Sequence, residues 1–462
     1  MSSATFGTLV QSARIVARGN IKPGGIAVWQ GSYTFNVNQW GVGHGGFHSQ
    51  SIFFQPIDRD PKAEAVGHGT IVRVIYDCGS GTGANLQDNL RRGVARMLED
   101  VPRGSRIDLL VISHFDSDHV NGLVHLIAEL RTKQIQVKKV WAPVLTRIEA
   151  ILGVAVATTN GLRRGRLREY ATLVADPVGR LSELLGDENV VELLPPDAEP
   201  IPLSPSGGGV EDAGDIVLTP APNGRGIVAR SGQSAASEVL WEFRPYVIES
   251  TLIQAEALSD ILGGAFGRPV DEWTVDEMIE FATHVDHKDL RMEFHHAVKT
   301  QERPLIPKRS RPSTGANLSS ICLYSGPASP YDWCRFRGGW LPVMETPEAI
   351  PIAPAWLGTG DAALLEKQHV DNMSGILTQS RLDRVGISSA PHHGSEFDSG
   401  ADLWNVLPGV RVVTIEAKSR TSGPNRHHHP HQGVLDELDT RNLNPFFCID
   451  GWDFQRTTKG YR

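Results

Sequence analysis

The sequence predicts an α/β protein interrupted by a mainly helical insertion. Strand-like apolar runs alternate with stretches whose apolar residues recur at helical spacing. Four polar or metal-binding residues stand just after such runs, at Asp77, His114, Asp361 and His392, and loops at one edge of a sheet can converge on one site. At 462 residues the chain is long for a single core. The expected division is a first half of the fold over 1–145, a largely helical insertion over 146–305, and a second half over 306–462.

The elements follow in order. Ile26-Ala27-Val28-Trp29 and Tyr33-Thr34-Phe35-Asn36-Val37 carry β-type residues between glycines. Gly41 to Gly46 is a glycine-rich turn, and Ser51-Ile52-Phe53-Phe54 follows it. Thr70 to Tyr76 is a strong strand ending at Asp77-Cys78-Gly79. Leu86, Leu90, Val94 and Leu98 share one face of a helix over 85–99. A strand over 107–112 leads into a polar loop, and a helix over 120–130 and a strand over 137–141 come next. Helical spacing covers 148–185, 253–262 and 275–300, with a strand at 238–247 between them. Strand character returns at Ser320 to Tyr324, Ala355 to Leu357, Arg384 to Ile387 and Val410 to Ile415, and a helix spans 432–438.

Composition narrows the classes. Hydrophobic residues at 40% suffice for a folded globular protein, and 21% charged residues is ordinary. The net charge of −8 argues against a general basic coat for nucleic acid, but not against a local site where bound cations supply positive charge. Cys78, Cys322, Cys334 and Cys448 are scattered, without a CxxC pair, so neither a disulfide framework nor a cysteine zinc site is indicated. The first twenty residues lack a signal-peptide apolar core, and no run approaches the roughly 18 apolar residues of a membrane span. A soluble, cytoplasmic protein without a membrane partner is the expectation.

The chemistry concentrates in His114-Phe115-Asp116-Ser117-Asp118-His119, where four metal-binding side chains fall within six residues at a strand end. His114 and Asp116 are two apart and could share one cation, while Asp118 and His119 could reach a second. A bridging carboxylate from Asp361 would bring the cations together, and a histidine from His392-His393 could complete the second site. Two dications, three carboxylates and one hydroxide make a nearly neutral cluster that accepts an anionic diester. A bridging water, its pKa lowered from about 15.7 towards roughly 7, would be the nucleophile. An isolated Asp-x-Asp-His could equally be a solvated turn; the ordered downstream residues make that reading the weaker one.

These residues resemble the metallo-β-lactamase superfamily, and within it the hydrolase domain of the ComEC competence proteins and their soluble relatives. That branch's Ser-His-x-Asp-x-Asp-His-x-x-Gly matches Ser113 to Gly122, with Asp116 where the wider superfamily more often has histidine. Asp77 matches an aspartate that usually organises the metal loop. Val42-Gly43-His44-Gly45 resembles the branch's Val-Gly-Gln-Gly, Thr359-Gly360-Asp361 its Thr-Gly-Asp, His392-His393-Gly394-Ser395 its His-His-Gly-Ser, and Asn425 to Pro430 its late Asn…His-Pro segment. The matches cover about 40–145 and 315–440. The resemblance implies an αββα four-layer sandwich with metals at one edge, and a nuclease or phosphodiesterase using two divalent ions, zinc or manganese. It implies metal ligation by His114, Asp116, Asp118, His119, Asp361 and His392, with Asp361 bridging. Two departures stand: no convincing equivalent is found of the histidine ligand that the superfamily often has between the first loop and Thr359-Gly360-Asp361, and the ComEC membrane channel is absent, so DNA uptake itself is not implied.

Other residues keep two readings. His392 directly ends its strand and is the expected ligand, leaving His393 to contact substrate or pack locally. His429 could act as general acid or hold a phosphate, whereas His427, His428 and His431 read as bystanders. Ser395 and Asn425 are candidates for substrate contact, Ser395 equally for a helix cap. His44 and His48 are placed in a turn near the site, and His295-His296 on a helix surface. Arg163, Arg164, Arg166 and Arg168 form either a phosphate track or a solvated helix face, and Lys308 to Arg311 carries the same ambiguity.

The leading reading is a metal-dependent nuclease or phosphodiesterase with Asp118 and His429 in the chemistry and a nucleic acid or nucleotide as substrate. The alternative keeps the metals and hydrolyses a small ester, lactone, thioester or phosphocholine ester. An adaptor that lost catalysis is the third class. The 146–305 insertion could hold a protein partner under any of them.

Overall fold

The computed structural model describes residues 31–56, 69–81, 83–159, 161–162, 164–187, 190–196, 217–221, 226–230, 239–248, 255–302, 319–328, 353–417, 429–448 and 454–461. It is a mixed α/β structure with two large sheets. The first half runs β1 (Gly31–Gln39), β2 (Phe47–Pro56), β3 (Thr70–Cys78), α1 (Ala84–Glu99), β4 (Arg106–Ile107), β5 (Leu109–Val111), α2 (Ser117–Val120), α3 (Leu123–Thr132), β6 (Gln136–Val137) and β7 (Val140–Pro143). The middle stretch holds α4 (Arg147–Thr159), α5 (Arg164–Ala175), α6 (Pro177–Leu185), β8 (Val191–Leu194), β9 (Val217–Pro220), β10 (Ile227–Arg230), β11 (Val239–Val247), α7 (Ala255–Phe266), α8 (Val275–Thr283) and α9 (Lys288–Glu302). The last part holds β12 (Ile321–Pro327), β13 (Ala355–Gly358), α10 (Lys367–Leu377), α11 (Gln379–Leu382), β14 (Val385–Ser389), α12 (Ala401–Asn405), β15 (Val412–Glu416), α13 (Gln432–Thr440), β16 (Asn444–Cys448) and β17 (Phe454–Tyr461).

The first sheet has the order β17-β1-β2-β3-β5-β7-β8 and the second β16-β15-β14-β13-β12-β11-β10-β9. Each has an antiparallel part and a parallel part: β3, β5, β7 and β8 run parallel in one, and β13, β14, β15 and β16 in the other. Parallel strands present their carboxyl ends on the same edge, which is where ligand sites of open α/β sheets form. Asp77, the His114 loop, Asp361, His392 and Glu416 all lie at such ends.

Three apolar clusters explain why the sequence folds this way. One lies between the inner faces of the sheets, with Tyr33, Phe35, Phe54, Val74 and Val111 from the first and Trp241, Phe243, Leu323, Trp356 and Val412 from the second. There the Trp241 ring meets Phe35 at 4.8 Å and Tyr33 edge-on at 5.3 Å, geometries that favour aromatic pairs. A second cluster joins α1, α3 and the helices of 147–302 to one another and to Ile75, Leu110 and Ile112. The third joins Val370, Met373, Leu403, Val434 and Leu438 to Cys322, Leu357, Val385 and Val413. In β3 this alternation is direct: Val72, Val74 and Tyr76 belong to the cluster between the sheets, while Ile75 and Cys78 belong to the second.

Several elements differ from the sequence-based reading. The expected helix over 120–130 is two helices, α2 beginning inside the hexad at Ser117 and α3 at Leu123. Its early start puts Asp118 and His119 on a helical turn rather than an open loop. The strand expected at 137–141 is split between β6, which pairs with β4, and β7, which pairs with β5 in the first sheet. His48 is not in a turn; it stands on β2, fully buried. Residues 146–305 contribute more than helices: β8 extends the first sheet and β9, β10 and β11 the second. The strand expected at 26–29 lies outside the described residues. Among the described residues no helix is long and apolar enough to cross a membrane, and Cys78, Cys322 and Cys448 are buried free thiols.

Candidate metal centre

The site begins at the end of β3. Asp77 sits in the left-handed region, with φ 59°, a conformation aspartate tolerates better than most residues. The bend turns its carboxylate to the chain after β5, where it accepts the Ser113 amide at 2.6 Å, the Ser113 hydroxyl at 2.6 Å and His119 Nδ1–H at 2.9 Å. Ser113 Oγ lies 2.9 Å from His114 Nδ1. With its own proton on Asp77, that hydroxyl accepts from Nδ1–H and leaves His114 Nε2 as a lone pair. His392 Nδ1 likewise meets Asp398 Oδ2 at 2.6 Å. Three imidazoles are thus oriented through Nδ1, the arrangement that fixes tautomer and aim in metal-ligating histidines.

The sheets are stitched together beside these residues. The Ile321 amide donates to Ser113 O at 2.8 Å and the Tyr76 hydroxyl to Ile321 O at 2.6 Å. Gly360 has φ 51°, and a Cβ there would stand 2.7 Å from Ser320 Oγ and 2.8 Å from Ser113 Cβ. A glycine before Asp361 is what lets the second sheet approach the hexad. Beyond β14, His392 and His393 take φ 44° and 58° in succession. Strained backbone of this kind persists where its surroundings enforce it and clusters at functional sites. Here the His392 amide is held by Gly360 O, and the Gly394 carbonyl by the His431 amide, each at 3.0 Å.

The donor atoms fall into two sets, His114, His119 and Asp361 in one and His44, Asp118 and His393 in the other, each within 4.8 Å of one another. His119 Nε2 is 3.3 Å from Asp361 Oδ1, His114 Nε2 3.5 Å from Asp361 Oδ2, and His392 Nε2 3.6 Å from the same Oδ2. His393 Nε2 is 3.5 Å from Asp118 Oδ2, 3.7 Å from Asp361 Oδ1 and 3.4 Å from His119 Nε2. Good hydrogen bonds from nitrogen run at about 2.7–3.2 Å. A tetrahedral ion with bonds of about 2.0–2.1 Å separates its ligands by about 3.3–3.4 Å. The observed spacings sit near the second figure. His114 Nε2 and Asp361 Oδ1 are also buried without a hydrogen-bond partner, an expensive arrangement unless a cation completes it. The residues present therefore fit divalent metal.

Electrostatics point the same way. Burial would raise Asp361, but the imidazoles of His392, His119, His393 and His114 hold its carboxyl well below the usual range. Against a burial effect that would lower them, Asp361 and Asp398 push His392 up to about 10, while Asp361 and Asp77 raise His119 well above an ordinary imidazole. The carboxylates call for positive charge at this point, which protons or cations can supply.

The expected residues are not all equivalent. Asp116 is half-buried, belongs to neither donor set, and is pushed up to about 6 by burial. The sets also cut across the expected pairs, placing His119 with His114 and Asp118 with His393. Burial first, then His392, His44 and His393, press His429 well below the imidazole range. It stacks on His392 with ring centroids 5.3 Å apart and stands as a neutral imidazole. Ser395 is buried, and its Oγ accepts the Phe397 amide at 3.2 Å, capping the turn. Asn425, His427 and His428 lie outside the described residues, as do Arg163 and Lys308 to Arg311. Arg166 donates to Gln87 and Arg168 pairs with Asp276 at 2.9 Å.

Three residues escaped the sequence reading. Asp398 orients His392. Tyr170 on α5 donates to the Phe115 carbonyl at 2.8 Å. Glu416 ends β15 with Oε2 3.9 Å from His393 Nδ1, and Gln39 Nε2 donates to its other oxygen. Gln39 Oε1 in turn takes His48 Nδ1–H at 3.1 Å, His48 Nε2 accepts from Gln50 at 3.0 Å, and Gln50 Oε1 accepts from Ser325 at 2.6 Å. Glu416 carries the signal that revealed the others, a polar residue directly after an apolar strand. Tyr170 carries none.

No family model matches the chain, and no curated protein matches it. Among solved structures it is similar to the crystal structure of the metallo-beta-lactamase fold protein YhfI from Bacillus subtilis. The two share 8% sequence identity over 91% of this chain and 99% of that one, with a TM-score of 0.35. A likeness that loose carries neither fold nor function, which rest on the geometry above.

Proposed function

We propose that this protein is a metal-dependent hydrolase of the metallo-β-lactamase type, built as an αββα four-layer sandwich, and that it cleaves phosphodiesters. The observation that carries the reading is Asp361, whose Oδ2 lies 3.5 Å from His114 Nε2 and whose Oδ1 lies 3.3 Å from His119 Nε2 and 3.7 Å from His393 Nε2 of the other donor set. Three apolar clusters separated by two sheets support the layering. Divalent cations, zinc or manganese, would supply Lewis acidity toward an anionic oxygen and toward a coordinated water.

The chain's own residues divide the remaining work. His114, His119, His392 and Asp361 bind on one side, and Asp118 and His393 on the other, so both histidines of the pair serve as donors. Asp116 adjoins them as a further carboxylate. Asp77, Ser113 and Asp398 keep the imidazole lone pairs aimed. His429, neutral and with Nδ1 buried without a partner, is suited to hold a phosphoryl oxygen through N–H. Nucleic acid or a nucleotide is the substrate class that the aspartate at the hexad's third position favours.

A small ester is the second reading, and one observation favours it. Arg166 and Arg168, half of the proposed phosphate track, are already engaged by Gln87 and Asp276. Purified protein loaded with manganese or zinc should hydrolyse single- or double-stranded DNA, RNA or bis(p-nitrophenyl) phosphate. Asp118→Ala should lose at least about 100-fold of that rate, in keeping with loss of a group that holds the reacting centre. Full activity in the variant would refute the site. Activity on a lactone or thioester panel alone would replace the diester reading with the second.

A further inference from the structure

We infer that His44, in the glycine-rich turn between β1 and β2, is a third protein ligand of the cation held by Asp118 and His393. The inference rests on the metal reading above and adds a residue to it.

His44 Nε2 lies 3.5 Å from Asp118 Oδ2, and Asp118 Oδ2 lies the same 3.5 Å from His393 Nε2. The three donor atoms are mutually within 4.8 Å, and the His44 and His393 rings are 4.1 Å apart. These separations exceed a hydrogen bond and approach the edge of a coordination tetrahedron. Two imidazoles and one carboxylate are a donor set suited to zinc, cobalt or manganese.

The turn is pressed onto the hexad rather than left in solvent. Gly46 N–H donates to Asp118 O at 3.2 Å, Gly79 N–H to Gly46 O at 2.8 Å, and Gly81 N–H to the His44 carbonyl. Gly45 has φ 141°, and a Cβ there would stand 2.5 Å from Asp118 O. A Cβ on Gly46 would stand 2.5 Å from His119 Nδ1. Only glycines on its C-terminal side let the turn carry His44 this close. A histidine on a solvated turn would require no such approach. With His44 counted, the second donor set rises from two protein ligands to three, His44, Asp118 and His393.

Cobalt(II) tests this on the full chain stripped of metal by a chelator. In His44→Cys, bound cobalt should acquire an intense thiolate-to-metal charge-transfer band in the near ultraviolet that the unsubstituted protein lacks. His44→Ala should lose at least about tenfold in affinity for one equivalent, the lower end of what even an orienting partner costs. In the unsubstituted protein, carbethoxylation of His44, read by peptide mass spectrometry, should be suppressed by cobalt. This arm needs no variant to fold. Cobalt bound with no band and with unchanged labelling of His44 overturns the assignment and leaves the metal reading standing. Failure of the unsubstituted protein to take up cobalt overturns both.

Discussion

Asp77 shows how one carboxylate can set a whole centre. Its two oxygens take an amide, a hydroxyl and an imidazole N–H, all from the segment that carries the donors. Asp77→Asn keeps the shape but replaces an acceptor with an amide that cannot take all three. Lost orienting partners typically cost about 10–100-fold in metal affinity. Manganese or cobalt titration of this variant should therefore show a drop of that size, with the circular dichroism spectrum unchanged. Native affinity would mean that His119 is aimed by packing alone.

At the scale of elements, the helices after β7 support the metal loop as well as cover the first sheet. Tyr170, on α5, is buried and donates to the carbonyl between His114 and Asp116. On the same helix Arg166 reaches Gln87 of α1, whose side-chain amide in turn donates to Ser80 Oγ and Gly81 O. Tyr170→Phe leaves the Phe115 carbonyl buried without a partner, at a cost of about 1–3 kcal/mol. Urea denaturation should report that loss, and amide hydrogen exchange over 113–119 should accelerate. A variant as stable as the parent, with unchanged exchange, would mean that α5 does not brace the loop.

Across the whole molecule, a buried polar chain crosses the apolar layer from Ser325 through Gln50, His48 and Gln39 to Glu416. His48 is 1% exposed, stacks on Trp356 at 4.0 Å and is held neutral by burial, with its pKa lowered to about 3. The unfolded chain takes up a proton there near pH 6.5, and the folded chain does not. Between about pH 6.5 and 3 the unfolded state binds more protons, so His48 makes stability fall as pH falls. From pH 7.5 to 5.5 its share is about 1.4 kcal/mol. Unfolding free energies from urea titrations at those two pH values should differ less in His48→Gln than in the parent by that amount. An equal pH dependence in both would show that His48 takes up its proton in the fold as readily as in the unfolded chain.

The local vocabulary of the site was legible because metal chemistry restricts residue type and spacing. The hexad at 114–119, Asp361 and His392-His393 could be picked out without coordinates, as could β3, α1, β14 and β15, whose apolar periodicity is strong. Sheet membership of β8, β9, β10 and β11 was not legible, since pairing partners lie far away in the chain and strand periodicity does not name them. Nor was the grouping of donors. Spacing suggests that near neighbours share a cation, but α2 rotates Asp118 and His119 apart, and each then meets partners from another sheet edge or the glycine turn. Residue types are written along one dimension; which lone pairs face each other depends on backbone bends at Asp77, His392 and Gly360 and on the packing of one sheet against another.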